Sequence, residues 1–355
     1  MGTTTGGERT GQATDSFVAL TPERVLEAVE AAGLRCNAVC YPLNSFENRV
    51  YEVELVDRSR IIAKFYRPGR WTEPQILEEH RFITELVQAE IPACPVRTFP
   101  DGSTLKRQEG IFYSLAERRG GRAPDELTDE LAERLGMLVG RMHAVAAAED
   151  APHRLSLDAD TYVRGSLEWL EAHRVLPAAF ESRYRRAAEG IAEVADRLMA
   201  GVERQRLHGD LHLGNLLLRD GRFNVLDFDD MVTGPAVQDL WLALPGRDAD
   251  TRRQRELFLE GYERFRLFDR STLPLIEPLR GLRLVHFATW LARRWHDPIF
   301  PATWPHFGTE DYWRQETEAL EEVLDLIDRA NAPAGRVLPD EPELTNKDFF
   351  WDWED

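Results

Sequence analysis

The chain of 355 residues lacks several features that would place it in a large class of proteins. It has three cysteines, Cys36, Cys40 and Cys94, and no paired Cys or His cluster stands beside them, so we expect plain buried thiols and not a zinc site. No apolar run approaches the length of a membrane span. The first residues, MGTTTGGERTGQATDS, lack the apolar core of a signal peptide. These absences predict a cytoplasmic protein that does not act at a membrane.

Basic charge is also scarce. The chain has 44 basic and 62 acidic residues, a net charge of −18 with histidine neutral. A surface of that sign repels nucleic acid phosphates, so we do not expect a nucleic acid partner. With 43% hydrophobic and 30% charged residues, the composition is ordinary for a globular protein and long enough for two domains, and we expect a monomer.

The stretch from Arg206 to Asp230 carries the densest group of polar side chains, and it reads RLHGDLHLGNLLLRDGRFNVLDFDD. Two short apolar runs on either side of an Asp-Gly pair predict a β-hairpin. Such a hairpin would bring the loop before its first strand and the acids after its second strand to the same end. Asp210, Asn215 and Asp227 would then face one small volume, as chemistry on a metal-bound phosphate requires.

The spacing in this stretch matches the catalytic loop of kinases, with four residues between Asp210 and Asn215. In kinases the Asp accepts the proton of the acceptor hydroxyl, the Asn holds a magnesium ion, and the acid after the next strand holds the metal that bridges the phosphates. Asp227 has that last position. Asp229 and Asp230 are ambiguous, since one of them could join the metal site. The structural alternative is a polar loop whose acids are satisfied within the core.

The first third of the chain predicts strands at 50–56 and 61–66, then a helix at 74–89. Lys64 lies in the second strand, after Ile61, Ile62 and Ala63, like the kinase lysine that binds the α and β phosphates. On the helix, Glu79 borders the apolar stripe and is the better candidate for pairing with Lys64, whereas Glu78 points away and is expected at the surface. Further strands are expected at 96–99 and 110–115, and residues 116–122 as a hinge for adenine.

A glycine-rich phosphate loop is missing where kinases have one. The chain has Leu43-Asn44-Ser45-Phe46-Glu47-Asn48 instead. A loop without glycine can still contact phosphate through a hydroxyl, an amide side chain and exposed backbone amides, so Ser45 and Asn48 are the candidates.

From Thr128 onward the pattern predicts helices. His143 lies near the end of the first of them and is assigned no chemistry. Asp239, at the head of a helix, is expected to accept hydrogen bonds from the backbone of the catalytic loop and so to support it. The segment 273–296 carries Arg280, Arg283, Arg293 and Arg294, which could line the acceptor side of the site or simply form ion pairs.

The chain resembles the bacterial stress response kinase A family, also called YihE or RdoA, over roughly residues 20 to 330. The resemblance rests on LNSFENRVYEVE, KFYRPGRWTEPQILEEH, HGDLHLGNLL, LDFDDMVTGPAVQDLW and EPLRGLRLVHFATWLARRWHDPIFP. That family is similar in fold to choline kinase and aminoglycoside phosphotransferases and is understood to phosphorylate protein Ser/Thr with ATP and magnesium.

The resemblance implies a role for each matching residue. Asp210 would accept the proton, and Asp227 would act with it in catalysis. Magnesium would be held by Asn215 and Asp227. Nucleotide would be bound by Ser45, Asn48, Lys64 and Glu79. The partners implied are ATP and a protein with a Ser/Thr acceptor, with the chain itself as a possible acceptor.

The fold class expected is α+β, a two-lobed protein-kinase-like fold with a small antiparallel β N-lobe carrying one helix, a larger mainly helical C-lobe, and the cleft between them. The boundaries expected are a disordered start at 1–15, the N-terminal lobe at 16–117, the C-terminal lobe at 118–332 and an acidic tail at 333–355. The tail ends DFFWDWED and could dock on a partner, dock on the protein itself, or remain a plain terminus.

Three alternatives to a protein kinase remain at this point. The acceptor could be a small molecule, because antibiotic and choline kinases share the HGD loop. The motif GDLHLGN also has a superficial likeness to metallophosphoesterases, which need further His and Asp motifs that the chain lacks. A nucleotide-binding module without catalysis is the third, and the intact set of Asp210, Asn215, Asp227 and Lys64 argues against it.

Overall fold

The computed structural model describes Phe17 and residues 20–331. The predicted disordered start at 1–15 and the acidic tail at 333–355 lie outside the described residues. The strands are β1 Cys36–Leu43, β2 Arg49–Leu55, β3 Arg60–Phe65, β4 Lys106–Gln108, β5 Ile111–Glu117, β6 Gln205–Leu207, β7 Leu216–Arg219, β8 Arg222–Val225 and β9 Val232–Gly234. The α-helices are α1 Pro22–Glu30, α2 Glu73–Gln88, α3 Asp129–Ala146, α4 Gly165–Ala172, α5 Ala178–Met199, α6 Val237–Ala243, α7 Ala249–Tyr262, α8 Ile276–Arg294, α9 Ile299–Thr303 and α10 Glu310–Asn331.

The chain divides into two compact units, and neither is a single run of residues. Among the described residues, unit 1 consists of those up to Arg122 together with Leu217–Asp229 and Arg294–Thr303, and unit 2 of Ala123–Leu216, Asp230–Arg293 and those from Trp304 onward. The domain boundaries expected from the sequence stay a prediction.

Unit 1 is organised around one antiparallel sheet with the strand order β1-β2-β3-β5-β4. Its register sets Lys64 on β3 opposite Val50 on β2 and Ser114 on β5. One face packs into a core in which Phe65 stacks on Tyr113 at 5.3 Å between ring centroids. The helix α2 follows β3, as predicted, and its N-cap Thr72 forms a capping box with Gln75.

The strand expected at 96–99 is wrong. Only Val96 forms an isolated bridge, to Ala116, and the chain turns away at Phe99, whose N–H donates to the carbonyl of Ser103 at 2.7 Å. The outer position of the sheet belongs to β4, which pairs with β5. The sequence reasoning also missed β1, because its side chains are half-buried or exposed and show no clean alternation.

The predicted hairpin is confirmed as β7 and β8. The two residues between these strands, Asp220 and Gly221, have φ of 53° and 71°. Two successive positive φ values are what a tight two-residue hairpin turn requires, and Asp-Gly supplies them at little cost. β8 leads directly to Asp227.

Unit 2 is mainly helical, and its helices α3 and α7 lie in close contact. A Cβ atom on Gly136 of α3 would fall 1.9 Å from the carbonyl oxygen of Phe258, and one on Gly261 of α7 would fall 2.1 Å from that of Glu133. Glycine on both helices is therefore what lets the two backbones approach. This contact brings His143, near the end of α3, against Tyr262 at the end of α7.

A small antiparallel sheet of β6 and β9 starts the polar loop of unit 2. Leu207 pairs with Val232, so the loop residues from His208 onward leave the sheet beside Asp230. No helix of the described residues is long and apolar enough to cross a membrane. The α+β class, with an antiparallel sheet in one unit and helices in the other, is confirmed.

Candidate active site

The backbone of the loop after β6 is held by one buried carboxylate. The N–H groups of His208 and Gly209 donate to Asp239 Oδ2 and Oδ1 at 2.9 and 3.0 Å, and Asp239 is fully buried at the start of α6. Two backbone donors on one carboxylate fix the direction in which the loop leaves β6. The supporting role predicted for Asp239 is confirmed.

The loop begins His-Gly-Asp because only glycine fits its second position. Gly209 has φ of 83°, and a Cβ atom there would lie 2.1 Å from the carbonyl oxygen of Asp230. Any other side chain would push the loop away from the residues before β9. The glycine therefore belongs to the geometry of this loop.

His143 completes the support of the loop, which the sequence reasoning missed. Its Nε2 lies 3.0 Å from Asp239 Oδ2 and its Nδ1 lies 3.0 Å from the hydroxyl of Tyr262. Since a carboxylate only accepts, Nε2–H donates to Asp239, and the Tyr262 hydroxyl can donate to Nδ1. A histidine on the buried face of a helix was the available signal, because such a polar group needs partners.

Asp210 follows Gly209 in this loop and is half-buried, and Arg283 of α8 is its main partner. The guanidinium donates to Asp210 Oδ1 at 2.7 Å, and His212 Nε2 lies 3.4 Å from Oδ2. Burial raises the pKa of the Asp210 carboxyl, but Arg283 and then His212 outweigh it and hold the pKa well below its usual range. Asp210 is therefore an anion throughout the neutral range.

Asn215 lies beside Asp210, as the spacing predicted. Its side-chain N–H donates to the backbone carbonyl of Asp210 at 2.8 Å and to Oδ2 at 3.4 Å. With the amide nitrogen engaged in this way, the side-chain oxygen is the atom that remains to accept a cation or a donor.

In unit 1, the Lys64 ammonium forms ion pairs with three carboxylates. Its Nζ lies 3.2 Å from Glu79 Oε1, 3.1 Å from Asp227 Oδ1 and 3.0 Å from Asp229 Oδ1. Burial lowers the pKa of Lys64, but the three carboxylates outweigh it and raise the pKa well above its usual range. Lys64 is therefore a fixed cation, and the pairing predicted between Lys64 and Glu79 is present. We call these four residues the lysine cluster.

The two acids of the sequence Asp227-Phe228-Asp229 have different surroundings. Asp229 is 3% exposed and bonds to Arg70 and to the indole N–H of Trp71, whereas the Asp227 side chain is 52% exposed. Asp227 also has φ of 51°, a conformation that a non-glycine residue adopts at a cost. Of these two acids, Asp227 is the one whose oxygens can receive a ligand.

The two loop residues expected to contact nucleotide differ in their surroundings. Ser45 is half-buried, whereas Asn48 is 2% exposed and its Oδ1 accepts the backbone N–H of Arg67 at 3.1 Å. The Arg67 guanidinium donates to the carbonyls of Phe46 and Glu47 at 3.0 and 2.9 Å. These contacts make Asn48 a residue that shapes the loop, and direct binding of nucleotide by Ser45 or Asn48 stays a prediction.

The expectation that Glu78 lies at the surface is wrong, because Glu78 is 6% exposed. The buried residues of α2 include Phe82, which meets Phe228 edge-on at 5.7 Å between ring centroids. Glu78 is one helical turn before Phe82 and shares its side of the helix. The helix is buried on a wider arc than the apolar stripe alone indicated.

The four arginines expected in the segment 273–296 have four different surroundings. Arg280 is buried and pairs with Glu277, and Arg283 pairs with Asp210. Arg293 lies over the ring of Trp169, 5.2 Å from its centroid. Arg294 forms an ion pair with Glu47 in unit 1. Three of the four thus form ion pairs, and Arg283 is the one that reaches a predicted catalytic residue.

The predicted site residues therefore occur in two groups. Asp210 and Asn215 lie together in unit 2, and Lys64, Glu79 and Asp227 lie together in unit 1. The expected convergence of Asp227 with Asp210 and Asn215 stays a prediction.

Comparison with known proteins places this geometry in a family. Residues 40–276 match the family model of the APH type, the phosphotransferase enzyme family. Stress response kinase A of Escherichia coli (strain K12) is 40% identical over 313 residues, which cover 88% of this chain and 95% of that relative. The serine/threonine protein kinase RdoA of Salmonella typhimurium is 37% identical over the same shares of the two chains.

Solved structures agree on the fold. The amicoumacin kinase hAmiN, in complex with AMP-PNP, Ca²⁺ and Ami, superposes with a TM-score of 0.70 at 20% identity, over 88% of this chain and 96% of that one. A microcompartment-associated aminopropanol kinase gives 0.64 at 19% identity, over 86% and 97%. The family match also sets aside the metallophosphoesterase alternative. The chain is a phosphotransferase that belongs to the phosphotransferase enzyme family and, within it, to the stress response kinase A family.

Proposed function

We propose that the chain transfers the γ-phosphoryl group of ATP to a Ser or Thr hydroxyl of a protein, with Mg²⁺, in a bacterial stress response. The observation that carries the proposal is the ionised Asp210, held beside Asn215 on a loop that Asp239 fixes. A carboxylate in that place can orient a hydroxyl and receive its proton. The names of the relatives in Escherichia coli and Salmonella support a protein acceptor and the stress role.

The chain's residues supply positioning and charge. Lys64, kept cationic by its three carboxylates, is suited to bind the α and β phosphates, and Glu79 fixes its direction. Ser45 is proposed to contact ATP through its hydroxyl. Asp210 orients the acceptor hydroxyl and takes its proton late in the transfer, because its low pKa makes it a weak base.

The residues present fit a magnesium ion. Among the described residues no three His, Cys, Asp or Glu side chains are grouped as in an all-protein metal centre. Magnesium at phosphates needs fewer protein ligands, since one or two carboxylates with water and phosphate oxygens complete its coordination. The exposed Asp227 carboxylate and the free side-chain oxygen of Asn215 would hold it. When bound, the ion neutralises phosphate charge.

The test is incubation of the purified protein with γ-labelled ATP and Mg²⁺ and a generic protein substrate. Wild type should label the substrate or itself. Asp210→Ala should lose transfer while binding ATP almost as well, and Asp227→Ala should lose Mg²⁺-dependent binding of ATP as well. Asp311→Ala removes an acid that is 82% exposed on α10 and serves as the matched control with unchanged transfer. Transfer by Asp210→Ala at the wild-type rate would overturn the assignment.

A small-molecule acceptor is the second candidate. Two structural neighbours favour it, because they are named as kinases of amicoumacin and aminopropanol. ATP consumption without label on any protein would identify this case. Tight nucleotide binding with no turnover would identify the chain as a nucleotide-binding module without catalysis. The monomeric state and the cytoplasmic location stay predictions.

A further inference from the structure

A face of unit 2 that extends away from Arg283, the partner of Asp210, combines aromatic rings with cationic side chains. Along α8, Arg283, His286, Trp290 and Arg293 recur at intervals of three and four residues, so they share one side of the helix. All of them are half-buried or exposed. The face begins at Asp210, which Arg283 contacts, and runs toward the C-terminal end of α8.

The residues before and within α4 extend this face. Tyr162 packs on His286 at 4.4 Å between ring centroids, and Trp169 packs under Arg293 at 5.2 Å. Tyr162 and Trp169 are seven positions apart, and so are His286 and Arg293, so the two segments run side by side in the same direction. Trp169 also stacks on the exposed ring of His173 at 4.0 Å between ring centroids. We call Trp169, His173, Arg283, His286, Trp290 and Arg293 the aromatic-basic face.

The charge at the end of this face is not neutralised. Among the residues that the structure describes, no carboxylate lies within ion-pair distance of Arg293, although the chain carries 62 acidic residues. Burial lowers the pKa of Arg293, and an arginine guanidinium keeps its proton in proteins. A cation over an indole, with a second ring beyond it, suits a ligand that brings both an aromatic ring and a carboxylate.

The chain itself contains such a ligand. Residues 340–355 read DEPELTNKDFFWDWED and contain seven acids against one base. The last seven of them, FFWDWED, contain four aromatic and three acidic side chains, and Trp351 and Trp353 are each followed by an acid. The charge and the aromatic content are therefore complementary to the aromatic-basic face.

The chain is also long enough to reach. The last described helix, α10, ends at Asn331, and residues 332–339 precede the acidic segment. Eight extended residues span up to about 27 Å, and those up to Trp351 span far more, which exceeds the radius of a unit of this size. A tethered segment has an effective local concentration on the order of millimolar, so even a weak contact would be occupied.

We propose that residues 340–355 bind to the aromatic-basic face of their own chain, with Trp351 or Trp353 at Trp169 and Arg293 and the neighbouring acids at the cationic groups. Binding needs no nucleotide and no catalysis. It therefore stands or falls separately from the proposed function.

The test is fluorescence anisotropy with a labelled peptide of residues 339–355 and full-length proteins without nucleotide. In wild type the tethered segment competes with the peptide, so the peptide should bind Trp351→Ala/Trp353→Ala about tenfold or more tighter than wild type. Adding Arg293→Glu to that double variant should weaken binding about tenfold, and Arg293→Gln should weaken it less. A peptide with both tryptophans replaced by alanine should bind neither protein.

The matched control is Arg186→Glu, the same change of charge at an exposed arginine of α5 outside the face. It should leave peptide binding unchanged. Thermal unfolding of each variant confirms that it is folded. Equal binding of the peptide by wild type and the double variant would show that the chain's own segment does not occupy the face, which would then be assigned to a separate protein. No binding, or binding indifferent to Arg293, would overturn the face itself.

Discussion

The two groups of candidate site residues are held in different ways. In unit 1, the Lys64 ammonium is surrounded by Glu79, Asp227 and Asp229, and its contacts are to side chains of opposite charge. In unit 2, the loop that carries Asp210 is set by backbone N–H groups bonded to Asp239. The first arrangement can exchange one partner for another, because the cation has three carboxylates. The loop of unit 2 depends on one carboxylate, that of Asp239, for its two backbone N–H groups, so it is rigid.

The difference suits what each group is proposed to do. A phosphate-binding lysine must release part of its contact with Asp227 when nucleotide and metal arrive, and Glu79 and Asp229 then keep it charged and in place. A residue that orients a hydroxyl must instead keep its position to within a fraction of an ångström, because small misplacement is costly to the rate. Backbone bonds to a fully buried carboxylate provide that fixity.

The largest effect is expected from breaking the rigid group with Asp239→Ala. The N–H groups of His208 and Gly209 and the ring of His143 would lose their acceptor in a fully buried place. Each unsatisfied buried donor costs about 1–3 kcal/mol, so the free energy of unfolding should fall by roughly 3 kcal/mol or more. Urea unfolding measures this.

The matched control is Asp250→Ala, which removes an acid that is 83% exposed on α7. It should change the free energy of unfolding by less than about 0.5 kcal/mol. An Asp239→Ala protein as stable as the control would show that the loop is not held by this carboxylate. Asp239→Asn, which keeps one acceptor, should fall between the two.

The lysine cluster should respond differently, because a second substitution can compensate for the first. Lys64→Met leaves three carboxylates close together without their cation and should lower the free energy of unfolding by about 2 kcal/mol. Adding Glu79→Gln removes one of those charges and should recover part of the loss, with a coupling of about 0.5–3 kcal/mol in a double-mutant cycle. Strictly additive effects of the two changes would contradict a shared cluster.

A third change tests the electrostatics of Asp210. Because Arg283 holds the pKa of Asp210 down, Arg283→Gln should raise that pKa. The ionised carboxylate is the form that accepts a proton, so the acidic limb of the pH profile of kcat/KM should move to higher pH in the variant, while the rate at pH 8 changes less. An acidic limb that stays at the wild-type pH would show that Arg283 does not set this pKa.

Parts of this arrangement were predictable from sequence because they depend on local patterns. The Asp-Gly pair predicts the β7–β8 hairpin through its turn geometry, and the side of α2 on which Glu79 lies follows from helical spacing. The support given by Asp239 also followed from its place at a helix start.

Other parts depend on long-range contacts that spacing does not contain. Arg283 is 73 residues from Asp210, and no pattern singles it out among the arginines of α8. Glu78 was misplaced because its side of α2 is buried, and Phe82, one turn further on that side, packs against Phe228, more than a hundred residues later in the chain. β1 and β4 were missed because half-exposed and three-residue strands carry little alternation.

A buried carboxylate with neither kind of support sharpens the comparison. Glu316 of α10 has a buried Oε2 without a hydrogen-bond partner among the described residues, and burial raises its pKa to about 7. The folded state therefore keeps the proton to a higher pH than the unfolded chain, so stability is lost as pH rises from about 4.5 through about 7. Since the side chain keeps some exposure, the loss of stability should be about 1–2 kcal/mol, below the limit that the pKa shift alone sets.

Glu316→Gln should remove this pH dependence. In urea unfolding, the stability of the variant relative to wild type should therefore increase between pH 5 and pH 8. A stability difference between the two proteins that is the same at both pH values would show that Glu316 titrates normally and that its burial costs nothing.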